Sequence, residues 1–212
     1  MRVKVCGMTN VEQVQQLNKL NVEFCGFIFY AKSKRYVLNH LSASSIKKIK
    51  GKINKVGVFV NANEDDVLKT VDDCGLYLVQ LHGDETPKQC EKISSYITTI
   101  KAFRLSENEN ILWKIKDYID VCDMFLFDTK GVDYGGTGKQ FNWNILNDLN
   151  IDKPFFLSGG IGPNDVENLK EFSKKPAAKN LLAVDINSKF EISYGVKDIN
   201  LIEKFVNSVK NI

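Results

Sequence analysis

The chain has 212 residues, a formal net charge of +3, 43% hydrophobic and 26% charged residues. That balance suits one globular domain over 1–212 and excludes a disordered chain or a charge-driven nucleic-acid binder. No apolar run approaches the about 18 residues of a membrane span, MRVKVCGMTN lacks the apolar segment of a leader, and a cytoplasmic protein with neither membrane nor nucleic-acid partner is expected.

Short apolar runs alternate with stretches of helical period along the chain. A strand over 3–6 precedes a helix in which Val11, Val14, Leu17 and Leu20 recur at three-residue spacing behind Asn10 as its cap. A strand over 25–29 leads to a helix starting at Ser42 or Ser44, with Ile46, Ile49 and Ile53 on one face. The strand over 56–60 leads to NEDDVLKTVDDC, where Asn63 opens a helix whose acidic first turn favours the exposed amides. The strand over 76–81 is followed by a helix opened by Pro87. Strands over 97–103, 124–128, 154–157 and 181–186 are followed by helices over 106–119, 142–149, 163–172 and 196–209, with 173–180 as a loop before the last strand.

Short β-branched strands that each lead into a helix pair in parallel, with helices covering the outside. Eight such units in a chain this short predict an α/β closed parallel barrel, the (β/α)8 or TIM barrel. An open doubly wound sheet, with one or two of the eight strands misread, is the alternative.

In a parallel barrel, ligands meet the residues just beyond the strand ends. Cys6, Arg35, Gln80, His82, Asp128, Gly159, Gly160 and Asp185 all fall there. The cysteines Cys6, Cys25, Cys74, Cys90 and Cys122 are odd in number and lack a CxxC pair. With His40 and His82 as the chain's histidines, neither a disulfide framework nor a metal site is expected.

Cys6 is compatible with a small buried hydrophobe, but beside Gly7 and opposite Asp128 it also suits a thiolate base facing a carboxylic acid donor. To work near neutral pH the thiol needs positive charge or amide dipoles close by. Asp128 alone could cap a turn. The glycines of GVDYGGTGKQF that follow it, with Thr137, and those of SGGIGPNDV before a helix near Pro163 form a candidate phosphate cradle. The spacing is not that of a nucleotide P-loop. Arg35 in YAKSKRYV suits a planar carboxylate, although Lys32, Lys34 and Arg35 equally fit a solvated basic loop. His82 is either a partner of Gln80 or a loop group. These residues read as an enzyme moving protons on a phosphorylated, carboxylated small molecule.

The motifs KVCGMTN, GFIFYAKSKRY, VQLHGDE, LFDTKGVDYGGTGKQFNW, FLSGGIGPNDV and VDINSKFEISYGVKD, in this order over essentially the whole chain, resemble those of the phosphoribosylanthranilate isomerase family of tryptophan biosynthesis. The resemblance implies a barrel without cofactor or metal, monomeric or homodimeric, that performs an Amadori rearrangement. By it Cys6 corresponds to the general base and Asp128 to the general acid, while Arg35 faces the anthranilate carboxylate. Gly136, Thr137 and Gly138 of one loop and Gly159 and Gly160 of another match the phosphate segments. Asp185 lies near the anthranilate amine, and Asn187 and Ser188 of the same loop join the substrate-binding set. The family's final loop commonly reads DVSSGVE, whereas this chain has DINSKFE at 185–191. Lys189 in place of glycine adds a charge at the phosphate site, Phe190 adds bulk, and Tyr194 replaces a proline, which predicts a less rigid segment. A related aminosugar-phosphate isomerase, an indole-forming synthase and a noncatalytic metabolite-binding barrel are the rival readings; the synthase's expected catalytic lysine has no clear counterpart.

Overall fold

The computed structural model describes residues 1–106, 109–129, 143–146, 152–210 and 212. Strands β1 (Arg2–Val5), β2 (Phe24–Ile28), β3 (Asn54–Phe59), β4 (Leu78–Leu81), β5 (Thr99–Leu105), β6 (Met124–Thr129), β7 (Phe155–Leu157) and β8 (Leu181–Ile186) pair in parallel in that order. β1 pairs with both β2 and β8, so the barrel is closed. The open-sheet alternative is thereby removed.

Closure follows from strand pleating, which sends alternate side chains inward and outward. Inward residues Phe24, Val56, Leu78, Ile100, Leu126 and Phe156 fill the barrel, with the rings of Phe24 and Phe156 edge to face at 5.2 Å. Outward residues such as Val3, Phe27, Phe125 and Leu157 pack in the larger core beneath the helices. Each fully buried side chain of this size contributes about 1.5–3 kcal/mol.

The helices α1 (Val11–Lys19), α2 (Ala43–Lys47), α3 (Glu64–Cys74) and α4 (Pro87–Ser94) begin where their caps dictate. The side chains of Asn10, Ser42 and Asn63 accept the amides of Gln13, Ser45 and Asp66, and Thr86 forms a reciprocal box with Gln89 in front of Pro87. Among the described residues, no helix is long and apolar enough to cross a membrane.

Four expectations change. The helix expected over 106–119 is α5 (Ile111–Ile115) followed by a 3-10 turn, because Asn110 caps it while Ser106 and Glu109 close a separate turn. Of the segment 142–149, the described part is a 3-10 turn at Trp143–Leu146. The loop over 173–180 contains a 3-10 helix at Pro176–Asn180, after α6 (Val166–Ser173). The last helix, α7 (Ile199–Val209), starts behind Asp198 as cap. Val196 and Lys197 instead form β10, antiparallel to β9 (Glu191–Ser193), in a hairpin turned by Gly195 at φ +80°.

Candidate active site

Period two along the strands and into the loops just beyond them puts Lys4 with Cys6, Gln80 with His82, and Asp185 with Asn187 on the inner face. Their upper members open onto a cavity of about 530 Å³ at the carboxyl ends of the strands, a size suited to a small metabolite. The cavity brings together Cys6, Arg35, Gln80, His82, Asp128 and Asp185, and with them Gly159, Gly160, Asn187 and Ser188. Lys189 does not line it. The expected residues Gly136, Thr137 and Gly138 lie outside the described residues.

Cys6 stands one residue past β1, its amide donating to Ile186 O at 2.9 Å. Two glycines make room for it and its neighbours. Gly7 has φ +73°, and a Cβ there would lie 2.7 Å from Arg35 Cδ. A Cβ at Gly26 would sit 2.8 Å from Cys6 Sγ and 3.2 Å from its Cα. Gly26→Ala must therefore displace the thiol, and the expected result is a chain that folds normally but loses about 10- to 100-fold in kcat. Steady-state kinetics beside a thermal melt check this; an unchanged kcat shows that the thiol's position is immaterial.

Buried charges surround the thiol. Lys4, fully buried, donates to Asp185 Oδ2 at 2.8 Å. Lys197 Nζ, also buried, donates to Glu191 Oε1 at 2.8 Å and Asn187 Oδ1 at 2.7 Å. Burial pushes the Cys6 thiol up, more than Lys4 and Lys197 can draw it down. Burial also opposes the Lys4 charge, yet Asp185 and the thiol outweigh it and its pKa is raised. The Asp185 carboxyl is raised by burial despite Lys4. Its Oδ1 is buried with no hydrogen-bond partner among the described residues.

Across the barrel, at the end of β6, Asp128 Oδ2 lies 3.2 Å from His82 Nε2, and Gln80 Nε2 lies 2.6 Å from His82 Nδ1. His82 therefore bridges Gln80 and Asp128 through its two ring nitrogens, with the donor and acceptor roles set by its tautomer. His82 is thus both a loop group just beyond β4 and a partner of Gln80, the two alternatives left by the sequence, and it also meets the Asp128 carboxyl group, a contact the sequence did not indicate.

At the cavity's rim Arg35 is not an open fork. Glu191 accepts from its Nε at 2.8 and 3.0 Å and from Nη2 at 2.6 Å. Although burial opposes it, the hydrogen bonds from Arg35 and the charge of Lys197 hold the Glu191 carboxyl below its usual range. Among the described residues, one Nη2 hydrogen and both on Nη1 have no partner. On the other side, Gly159 and Gly160 follow β7 with φ +96° and +70°, a backbone shape open to glycine that turns amides toward an anion. The Gly162 amide is already taken by Asp165 Oδ2 at 2.7 Å.

The two bulky departures in the last loop separate. Phe190 points outward and packs edge to face on Phe205 of α7 at 5.0 Å, leaving the cavity unfilled. Lys189 is exposed, with its Cβ and Cγ beside Gly162 at the glycine loop. The Tyr194 segment is held in place: Thr9 donates to Gly195 O at 2.7 Å, and Gln13 exchanges two hydrogen bonds with the Lys197 backbone at 2.7 and 3.0 Å. These bonds tie the hairpin to the start of α1 without a proline.

Lys4, Glu191 and Lys197 are site residues the sequence reading missed. Lys4 is two positions before Cys6, so the strand period alone places it inside. Lys197 fell within an expected helix, and the YG turn before it was the available signal. Among the described residues there is no group of side chains that could hold a metal ion.

Residues 3–208 match the family model of N-(5'phosphoribosyl)anthranilate (PRA) isomerase. The N-(5'-phosphoribosyl)anthranilate isomerase of Phocaeicola vulgatus is 37% identical over 211 residues, 99% of this chain and 98% of its own. The crystal structure of phosphoribosyl anthranilate isomerase from Thermotoga maritima superposes with a TM-score of 0.86 at 34% identity, covering all of both chains. Another, solved in complex with reduced 1-(o-carboxyphenylamino)-1-deoxyribulose 5-phosphate, gives a TM-score of 0.81 at 30% identity, again over both whole chains. With the barrel, the cavity and this similarity over its full length, the chain belongs to the N-(5'phosphoribosyl)anthranilate isomerase family.

Proposed function

We propose that Cys6 is the base and Asp128 the acid of the Amadori rearrangement by which this isomerase converts N-(5'-phosphoribosyl)anthranilate into 1-(2-carboxyphenylamino)-1-deoxyribulose 5-phosphate. The observation that carries the assignment is their placement: a thiol past β1 and a carboxyl group ending β6, both on one cavity with Asp185 and its unpartnered Oδ1.

Asp128 gives a proton to the furanose ring oxygen, the C1–O bond breaks, and the amine nitrogen's electron pair forms the iminium. Cys6 as thiolate then takes the proton from C2, and the C–H electrons flow to the iminium nitrogen, giving an enolamine. Proton loss from the C2 hydroxyl and gain at C1 complete the ketone, with no net change in composition. The iminium is the electron sink, and its positive charge, added to Lys4 and Lys197, favours the thiolate that burial disfavours. Asp185 Oδ1 accepts the amine N–H. The aryl carboxylate meets the remaining Arg35 donors, and the phosphate lies against Gly159, Gly160 and Ser188, with Gly136, Thr137 and Gly138 completing the cradle and Lys189 contributing charge at its edge. Holding both ends places C1 and C2 between acid and base.

The purified chain is expected to consume the fluorescence of freshly made phosphoribosylanthranilate, and Asp128→Asn to lower kcat about 100- to 10,000-fold. Full activity in the variant removes Asp128 as the acid; an inactive wild-type chain under conditions that support a verified family enzyme removes the reading as a whole.

A further inference from the structure

Arg35 alone is an incomplete carboxylate receptor. Glu191, which it shares with Lys197, covers its Nε edge and offsets part of the positive charge there, so a carboxylate brought to the remaining donors meets a partly compensated guanidinium. A further cation at the rim strengthens the hold on a negatively charged ring substituent.

Lys34 supplies one. It lines the cavity and has no carboxylate within ion-pair distance among the described residues. An exposed lysine ordinarily extends into water, since its ammonium is strongly hydrated. This one lies against Tyr194: Nζ is 4.5 Å from the centroid of the ring and donates to Tyr194 Oη at 3.5 Å. The same ring takes the Arg35 guanidinium, with Cζ 4.9 Å from its centroid. Tyr194 also lines the cavity, 56% exposed, and its neighbour Gly195 is fixed by Thr9 and by a hydrogen bond from its amide to Glu191 Oε1 at 3.1 Å. One aromatic ring on an anchored hairpin therefore gathers two cations from the loop after β2 at the mouth of the cavity. The attraction of cations to the ring face holds them close despite their mutual repulsion.

We propose that Lys34 and Tyr194 form a clamp that selects substrates by the carboxylate on their aromatic ring. This rests on the orientation assigned above, with the aryl carboxylate at Arg35. Lys34 Nζ pairs with the carboxylate oxygen that Arg35 does not reach, while Tyr194 orients both cations and walls the aryl end. The clamp discriminates between ligands and takes no part in the proton transfers.

The test is calorimetric binding of two ligands to the full chain: reduced 1-(o-carboxyphenylamino)-1-deoxyribulose 5-phosphate and its counterpart lacking the ring carboxylate. Lys34→Ala is expected to weaken the first about 5- to 10-fold, the yield of one partly exposed charge-assisted contact, and to leave the second unchanged. Lys34→Arg should restore most of the difference. Tyr194→Leu should reduce the preference for the carboxylated ligand, and Tyr194→Phe should keep it. Equal effects on both ligands, which a merely structural role produces, overturn the clamp, as does no effect or a wild-type chain that binds neither. Turnover of phosphoribosylanthranilate is measured separately: an active wild-type chain whose Lys34→Ala variant keeps full preference loses the clamp alone, whereas an inactive chain that still shows the ratio loses the assigned proton transfers and keeps the clamp.

Discussion

Cys6→Ala is expected to reduce kcat by about a thousandfold or more, because in the proposed mechanism its thiolate abstracts the carbon-bound proton from C2. Binding should survive, since Arg35 and the glycine loops are untouched. The affinity for the reduced product should stay within about threefold of wild type, a difference too small to reflect a lost anchor. The pH profile gives a second reading. Burial raises the thiol, and a base acts in its deprotonated form, so kcat/KM of the wild-type chain should climb from neutral into alkaline pH rather than level off below it. Each unit of pH below the thiol's own value reduces the thiolate about tenfold. That limb should vanish from the residual activity of Cys6→Ala. A variant retaining more than about a tenth of wild-type kcat, or one with the same limb, assigns the base elsewhere.

The largest effect on stability is expected away from the chemistry, where Glu85 and Lys101 are buried together between the ends of β4 and β5. Glu85 accepts the amides of Asn61 and Gly83 as well as Lys101 Nζ at 2.9 Å, and Lys101 also donates to the carbonyls of Leu81 and Gly83. Lys101→Met keeps the volume but leaves a buried carboxylate without its cation and two carbonyls without a donor. A cost of about 3–5 kcal/mol follows from breaking such a pair on one side only. Urea denaturation reads it as a lower midpoint at unchanged slope. Adding Glu85→Gln should return part of the loss, because the orphaned charge is then gone. A loss under about 1 kcal/mol would mean that water or relaxation compensates the site.

Most of the barrel is legible in the sequence because one signal recurs along it: a short apolar run followed by a stretch of helical period. Asn10, Ser42, Asn63 and Pro87 mark helix starts through chemistry local to a few residues, and local chemistry survives without knowledge of the fold. The placements of Cys6, Asp128 and Asp185 are legible for a related reason, since each polar residue closes an apolar run. Lys4 was hidden because a lysine inside RVKV reads as solvent-facing until the closed barrel makes its other side an interior. The pairing of Arg35 with Glu191 is not legible because the two lie 156 residues apart, and no local pattern encodes that distance. The hairpin at 191–197 escaped because two- and three-residue strands carry too few alternations to register, and the helical period of α7 extends backward over them.

The clasp between the Tyr194 hairpin and the start of α1 bears on how the chain acquires its site during synthesis. Lys4 meets Asp185 across 181 residues and Thr9 meets Gly195 across 186. The first of these contacts runs along the β1–β8 seam and the second links the segments just beyond those strands, and the cavity straddles that seam. A chain still emerging from the ribosome, with six strands made, holds Cys6 and Asp128 but lacks Asp185, Glu191 and Lys197. Contacts of such sequence separation form after local ones, when their loop entropy can be met by packing. The full lining of the cavity is therefore assembled only when the first and last strands meet, so the site is a product of barrel closure and not of any one half of the chain.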